Sequence, residues 1–381
     1  MPAGAAREGA GGTLGPGSDG EDFAHRVEGL QNALFRDPGL VPVVLTACTG
    51  HPLVPPRVLR LRLLLRCDAR CRMCVLHSPV REVELVTGAE RDTEMDPGLA
   101  IRLAEEARAL GASYLNLQGG EPFLYRGLEE VLGAGLRMGF TVQFFTNGGP
   151  SADLGLLERA LALAGGSGEV LLRVSLDGTP EVHDAIRGVP GLFDEAARFV
   201  RSAAAVAGRW PGLRVGISYT VMRENVHCML DVAEMALRWG VTVRFIPLVA
   251  YGPRANPDGT LIPVRYLPPE TFPTSAQLAE LAASAALLEH HPAVDSAAFL
   301  RLMPELYNGT FSRRVCLANA VGIYVTANGR YQACPISEET FAGVEEMGPR
   351  EAWFRGMRDV RRRSFAGCRV PCTCYKPDLS F

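Results

Sequence analysis

A chain of 381 residues exceeds the size at which a single hydrophobic core usually stops growing, which predicts one large domain and one small one. A formal net charge of -3 offers no cationic excess for nucleic acid. No apolar run reaches the roughly 18 residues of a membrane span.

The first twenty residues, rich in Gly, Ala and Ser, bury too little to order, which predicts a disordered tail over 1–20. They lack the basic start and apolar core of a secretory signal, so the expectation is a cytoplasmic protein without membrane or nucleic-acid partners. An N-terminal extension occupies 21–57. From 58 to 250 short β-branched runs alternate with amphipathic helical stretches, the pattern of βα units around a parallel sheet. Strands are predicted over Val58–Arg66, Tyr114–Gln118, Thr141–Phe145, Val170–Leu176, Leu213–Val221 and Val241–Pro247, with helices near 97–110, 127–138, 152–164, 192–207 and 225–239. Pro, Gly and Asn make Ala250–Pro273 a loop or linker, and helices follow over Ser275–His290 and Asp295–Tyr307, so 251–315 reads as linker and helices. Beyond Cys316, Gly322–Thr326 and Tyr331–Cys334 flank an Asn-Gly turn, a hairpin that would bring Cys316 and Cys334 together in a small cysteine-rich unit over 316–381. The fold class is α/β: a partial (β/α)6 TIM-like barrel with that small C-terminal domain.

Ten cysteines in an intracellular chain favour metal or cluster ligation over disulfides. Eight form two groups, Cys67, Cys71, Cys74 and then Cys316, Cys334, Cys368, Cys372, Cys374. The first group follows the first strand, where a βα unit places its loop at the C-terminal mouth of the sheet. Three thiolates can hold three irons of a 4Fe-4S cluster and leave the fourth open to a cofactor. The competing assignment is a zinc site completed by His77, whose spacing differs from the usual paired motifs.

The Cys-x3-Cys-x2-Cys loop after a first strand, followed in order by the motifs below, resembles the radical S-adenosylmethionine (SAM) superfamily over roughly residues 58–250. The resemblance implies that the open iron chelates SAM and that one-electron reduction yields a 5′-deoxyadenosyl radical, which abstracts a substrate hydrogen. Met73 stands where the family often has an aromatic residue.

After the second predicted strand, Gly119-Gly120-Glu121-Pro122 combines glycines that permit close backbone approach with a carboxylate able to accept from an ammonium group. An ordinary turn is the alternative. In the family this element holds the SAM amino group. The third strand ends in Thr146-Asn147-Gly148 and the fourth in Ser175-Leu176-Asp177-Gly178, polar groups at strand ends where barrel active sites gather. By resemblance Asn147 and Ser175 contact SAM ribose or carboxylate and Arg187 assists with the carboxylate; caps and surface ion pairs are the alternatives. Tyr219, Thr220, Phe245 and Ile246 line the adenine side or pack in the core.

Cys316-x12-Gly329-x4-Cys334, then Cys368-x3-Cys372-x-Cys374, resembles the SPASM and Twitch auxiliary domains. Five cysteines suffice for one auxiliary 4Fe-4S cluster, held by Cys316, Cys334 and two of the later three; a structural zinc is the alternative. A fully ligated cluster suits electron transfer from a substrate radical. Pro335 occupies the place of an acidic residue that sulfatase-maturing relatives use, which argues against that chemistry. Cys48 and Cys228 read as buried apolar residues. The implied cofactors are SAM and the two clusters. The implied partners are an electron donor such as flavodoxin or ferredoxin and a natural-product substrate, either a peptide or a small molecule such as an aminosugar or cyclitol. A non-catalytic iron-sulfur or zinc scaffold is the remaining alternative.

Overall fold

The computed structural model describes residues 37–77, 93–248, 251–255, 261–265, 267–295, 297–308, 316–334 and 339–367. The tail expected over 1–20 and Cys368, Cys372 and Cys374 lie outside the described residues. Helix α1 (Val41–Thr49) opens the described chain. Its β-branched sequence suits a strand, but Pro42 in the first turn and Gly50 at φ 78° after the last fix helix ends.

Six parallel strands follow in spatial order: β1 (Val58–Arg62), β2 (Tyr114–Gln118), β3 (Thr141–Thr146), β4 (Glu169–Ser175), β5 (Leu213–Val221) and β6 (Thr242–Pro247). The connecting helices are α2 (Pro97–Ala109), α3 (Leu128–Arg137), α4 (Leu154–Ala164), α5 (Pro180–Arg187), α6 (Leu192–Ala207) and α7 (Met229–Arg238). Side-chain alternation along the strands divides the sheet into two faces. Leu59, Leu61, Leu115, Leu117, Phe144 and Leu172 are fully buried in one continuous core with the helices. The opposite, inner face carries Arg60, Asn116, Gln143, Arg173, Ser218 and Arg244, an unusually polar lining for strands. This is a partial (β/α)6 barrel whose inner strand face is rich in polar side chains.

The linker expected at 250–273 contains an antiparallel ribbon, β7 (Tyr251–Ala255) with β8 (Leu261–Arg265). Pro253 stands opposite Pro263 in register. A two-stranded ribbon has edges on both sides and tolerates residues without a donor, so proline content there does not exclude strand. Helix α8 (Ser275–Leu288) starts at a Thr274–Gln277 capping box, and α9 (Ala297–Tyr307) follows.

The predicted hairpin forms β9 (Gly322–Val325) and β10 (Arg330–Gln332) around Gly329 at φ 71°. A third strand, β11 (Thr340–Gly343), pairs with β10. This ribbon extends the barrel sheet: β9 runs parallel to β1, Leu59 opposite Ile323 and Arg60 opposite Tyr324, giving one nine-stranded sheet. Helix α10 (Arg358–Gly367) closes back on α1. Arg361, buried, donates to Gly50 O at 3.1 Å and to Asn319 O at 2.9 Å and lies over the Trp353 ring, joining carbonyls at the ends of two helices.

Candidate active site at the mouth of the barrel

The loop after β1 is fixed from both sides. Arg70 N–H and Arg72 N–H donate to the carbonyls of Arg187 and Ile186, the last carbonyls of α5, and Glu121 N–H donates to Arg66 O. Cys67, Cys71 and Cys74 share a small cluster with Ala69, Met73 and Leu192. Burial pushes the Cys67 thiol up to about 12, with Cys71, Glu121 and Asp68 adding to the effect. Burial likewise raises Cys74 to about 11, against the opposing charges of Arg187 and Arg62. Ligation requires thiolates, so metal loading at this loop releases protons at neutral pH. Among the described residues, no three His, Cys, Asp or Glu side chains converge on a single-ion site. A four-iron cube takes each thiolate at a different iron, and three thiols on one buried loop fit such a group.

The glycines of the second motif serve the protein's own backbone. A Cβ on Gly120 would stand 1.9 Å from Arg66 O, and one on Gly119 2.5 Å from Leu64 Cδ2. Both therefore let the loop after β2 press on the loop after β1. Glu121, 1% exposed, is held by three donors: Phe123 N–H and Thr146 Oγ1–H to Oε1, and Asn147 N–H to Oε2 at 2.8 Å. Burial still raises its carboxyl from 4.5 to about 7. Asn147 donates from Nδ2 to Asp68 Oδ1 and accepts Gly149 N–H at 2.7 Å, so it ties the third strand end to the cysteine loop.

Arg187 is buried between Asp177 and the cysteine loop. Its Nε and Nη2 donate to Asp177 Oδ2 at 2.7 and 2.5 Å, and Nη1 lies 3.5 Å from Cys71 Sγ. Burial opposes the guanidinium charge, but Asp177 and Cys71 outweigh it and hold Arg187 protonated. Asp177, fully buried, also accepts Thr220 N–H, while Asn225 donates to its carbonyl. His183 accepts Asp177 N–H at Nδ1, which places its proton on Nε2; burial and Arg187 depress its pKa to about 3. Ser175 is half-buried at the end of β4 beside Ser218.

The structure thus brings Cys67, Cys71, Cys74, Gly119, Gly120, Glu121, Asn147 and Arg187 to one end of the sheet. Asp177, Asp68 and Arg62 are partners that sequence reasoning missed; Asp177 stood within a quoted motif, but only the fold shows what it faces. Tyr219 and Phe245 belong to the helix-side core, with ring centres 5.1 Å apart, whereas Thr220 and Ile246 face the interior. Cys316 and Cys334 are both buried; Cys228 is buried as expected and Cys48 is half-exposed. No helix among the described residues is long and apolar enough to cross a membrane.

Residues 61–236 match the radical SAM superfamily. The mycofactocin maturase MftC of Mycobacterium tuberculosis is 28% identical over 329 residues, covering 84% of this chain and 76% of that protein. The Fe-coproporphyrin III synthase of Methanosarcina barkeri is 27% identical over 162 residues, 42% of this chain and 36% of that protein. Among solved structures, Streptococcus suis SuiB bound to S-adenosylmethionine aligns over 90% of this chain and 78% of its own with a TM-score of 0.59 at 14% identity. The peptide- and AdoMet-bound anSMEcpe aligns over 80% and 82% with a TM-score of 0.54 at 14% identity. The radical SAM match runs from within β1, through the cysteine loop at the mouth of the partial (β/α)6 barrel, to α7, so that residues 61–236 are similar to that superfamily.

Proposed function

We propose that this protein is a radical SAM maturase that modifies a peptide. The observation carrying the reading is the buried cysteine loop, interlocked with the Gly119-Gly120-Glu121 loop and with Arg187 at one end of the barrel. When bound there, a 4Fe-4S cluster and SAM supply the one-electron cleavage and the hydrogen abstraction. Cys67, Cys71 and Cys74 hold the cluster. Arg187 positions it, donating to the Cys71 sulfur and placing a fixed positive charge beside an anionic group; Asp177 aims Arg187. With Arg187 already occupied by Asp177 and Cys71, the SAM carboxylate falls to other donors. Glu121 keeps acceptor capacity on Oε2 for the SAM ammonium group, and Ser175 lines the approach. Leu192, at the start of α6, and Val189, just before it, pack against the loop.

The peptide class is supported by the mycofactocin maturase and by the peptide complexes of SuiB and anSMEcpe. Cys316 and Cys334, with two of Cys368, Cys372 and Cys374, would hold an auxiliary 4Fe-4S cluster, which would supply a one-electron acceptor. A flavodoxin or ferredoxin in the cytoplasm supplies the reducing electron. The test is anaerobic reconstitution, iron and sulfide counting and a 5′-deoxyadenosine assay after reduction. About eight irons with SAM cleavage supports the reading, since two clusters contain four each. Bound zinc, or no cleavage by the iron-loaded, reduced protein, overturns it.

A further inference from the structure

The interior of the barrel is polar in a particular way. Arg173 and Arg244 share Asp295, the latter at 3.0 Å. Arg62 lies near enough to Cys74 to oppose its thiol's upward shift. Arg60, two residues earlier on the same face of β1, has no carboxylate partner among the described residues: its guanidinium carbon stands 5.5 Å from the centre of the Tyr324 ring. Its Nε is buried without a hydrogen-bond partner among them. The register partner of Arg60 on β2 is Asn116, which is 5% exposed. Asn116 Nδ2 donates to Gln143 Oε1 at 3.0 Å, and its Oδ1 is also buried without a partner.

Buried polar atoms are hydrogen-bonded in the great majority of cases, and an orphan within a candidate site calls for an explanation. Here an orphaned donor and an orphaned acceptor come from neighbouring strands in one row. A group that presents acceptor oxygens beside an N–H would satisfy both. Guanidinium favours a carboxylate there, because charge-assisted hydrogen bonds are roughly twice as strong as neutral ones. Arg60 lies four residues before Leu64, whose carbonyl accepts Gly120 N–H. At the rise of a strand this is about 13 Å below the mouth.

We propose that Arg60 and Asn116 form a carboxylate-binding subsite for the substrate peptide, with Arg60 gripping a carboxylate and Asn116 Oδ1 accepting a nearby peptide N–H. The inference rests on the peptide reading above and adds which part of the peptide is gripped. Two sources carry this chemistry: an Asp or Glu side chain, and a C-terminal α-carboxylate. Arg60 and Asn116 are specificity-determining residues, since the chemistry itself requires neither.

The experiment is a ligand-observed NMR titration of the full-length, cluster-loaded protein with SAM and without reductant, at constant ionic strength. The probes are acetyl-Gly-Asp-Gly-amide, acetyl-Gly-Gly-Gly with a free C-terminus, and acetyl-Gly-Gly-Gly-amide. Wild type should bind one of the carboxylate peptides at least about tenfold more tightly than the amide, and which one identifies the source. Arg60→Gln should abolish the preference, while Arg60→Lys, keeping charge without the fork, should retain part of it. Asn116→Asp should also abolish it, because the new carboxylate occupies Arg60, and its unfolding temperature should not fall. That variant keeps the test decisive if Arg60→Gln fails to fold. Equal binding of all three probes to wild type, or a preference that survives in Asn116→Asp, overturns the proposal. No electron transfer is involved, so a failure here is distinct from a failure of SAM cleavage.

Discussion

Glu121 links the site to pH. Its folded pKa of about 7 lies above the ordinary 4.5 because burial disfavours the carboxylate. Stability from the protonated form is therefore complete below 4.5 and is lost as pH rises through about 7. A SAM ammonium group needs the ionised form. SAM affinity, measured anaerobically by equilibrium dialysis, should drop about tenfold between pH 8 and pH 6, and Glu121→Gln should bind more weakly with a flat profile. Asp177→Asn leaves the buried Arg187 with a neutral partner and should destabilise the iron-free protein by up to about 3–5 kcal/mol, seen as a lower unfolding temperature. At this scale the cysteines and Glu121 were legible because their spacing carries the chemistry. The Arg187–Asp177 pair was not, because Asp177 precedes α5 and Arg187 is its last residue, and only the helix geometry turns one towards the other.

The β1 loop and the β2 loop act as one element, since Gly120 N–H and Glu121 N–H donate to Leu64 O and Arg66 O. Gly120→Ala would drive a Cβ into Arg66 O, so the two loops must separate. Its iron content after reconstitution should fall well below that of wild type while the far-UV circular dichroism of the barrel persists. Gly148→Ala tests the same logic one strand further on, because φ 69° and Val174 Cγ1 at 2.7 Å both disfavour a side chain there. The strands of the barrel were legible to within a few residues because each is a short run with apolar residues at alternate positions, bounded by turn residues. Helix α5 was not, since its eight residues between Thr179 and Gly188 are too few to carry a periodic pattern. The β7–β8 ribbon was hidden by its prolines, and α1 by its run of valines.

Across the whole molecule, the ribbon bearing Gly329 and Cys334 continues the barrel sheet through β9 on β1. The hairpin was readable from its Asn-Gly turn, but its docking was not, because pairing between strands so distant in sequence leaves no local signature. The consequence is that Cys334, two residues past β10, follows directly from the sheet whose β1 leads into the Cys67–Cys74 loop. Removing Cys316 and Cys334 together should leave the barrel folded and the first cluster loaded, with loss of product rather than loss of SAM binding. The most direct measurement is 5′-deoxyadenosine formed by the reduced protein in two variants, Cys67/Cys71/Cys74→Ala and Cys316/Cys334→Ala. The account predicts none from the first and continued SAM cleavage from the second. Cleavage that survives loss of Cys67, Cys71 and Cys74 would contradict it.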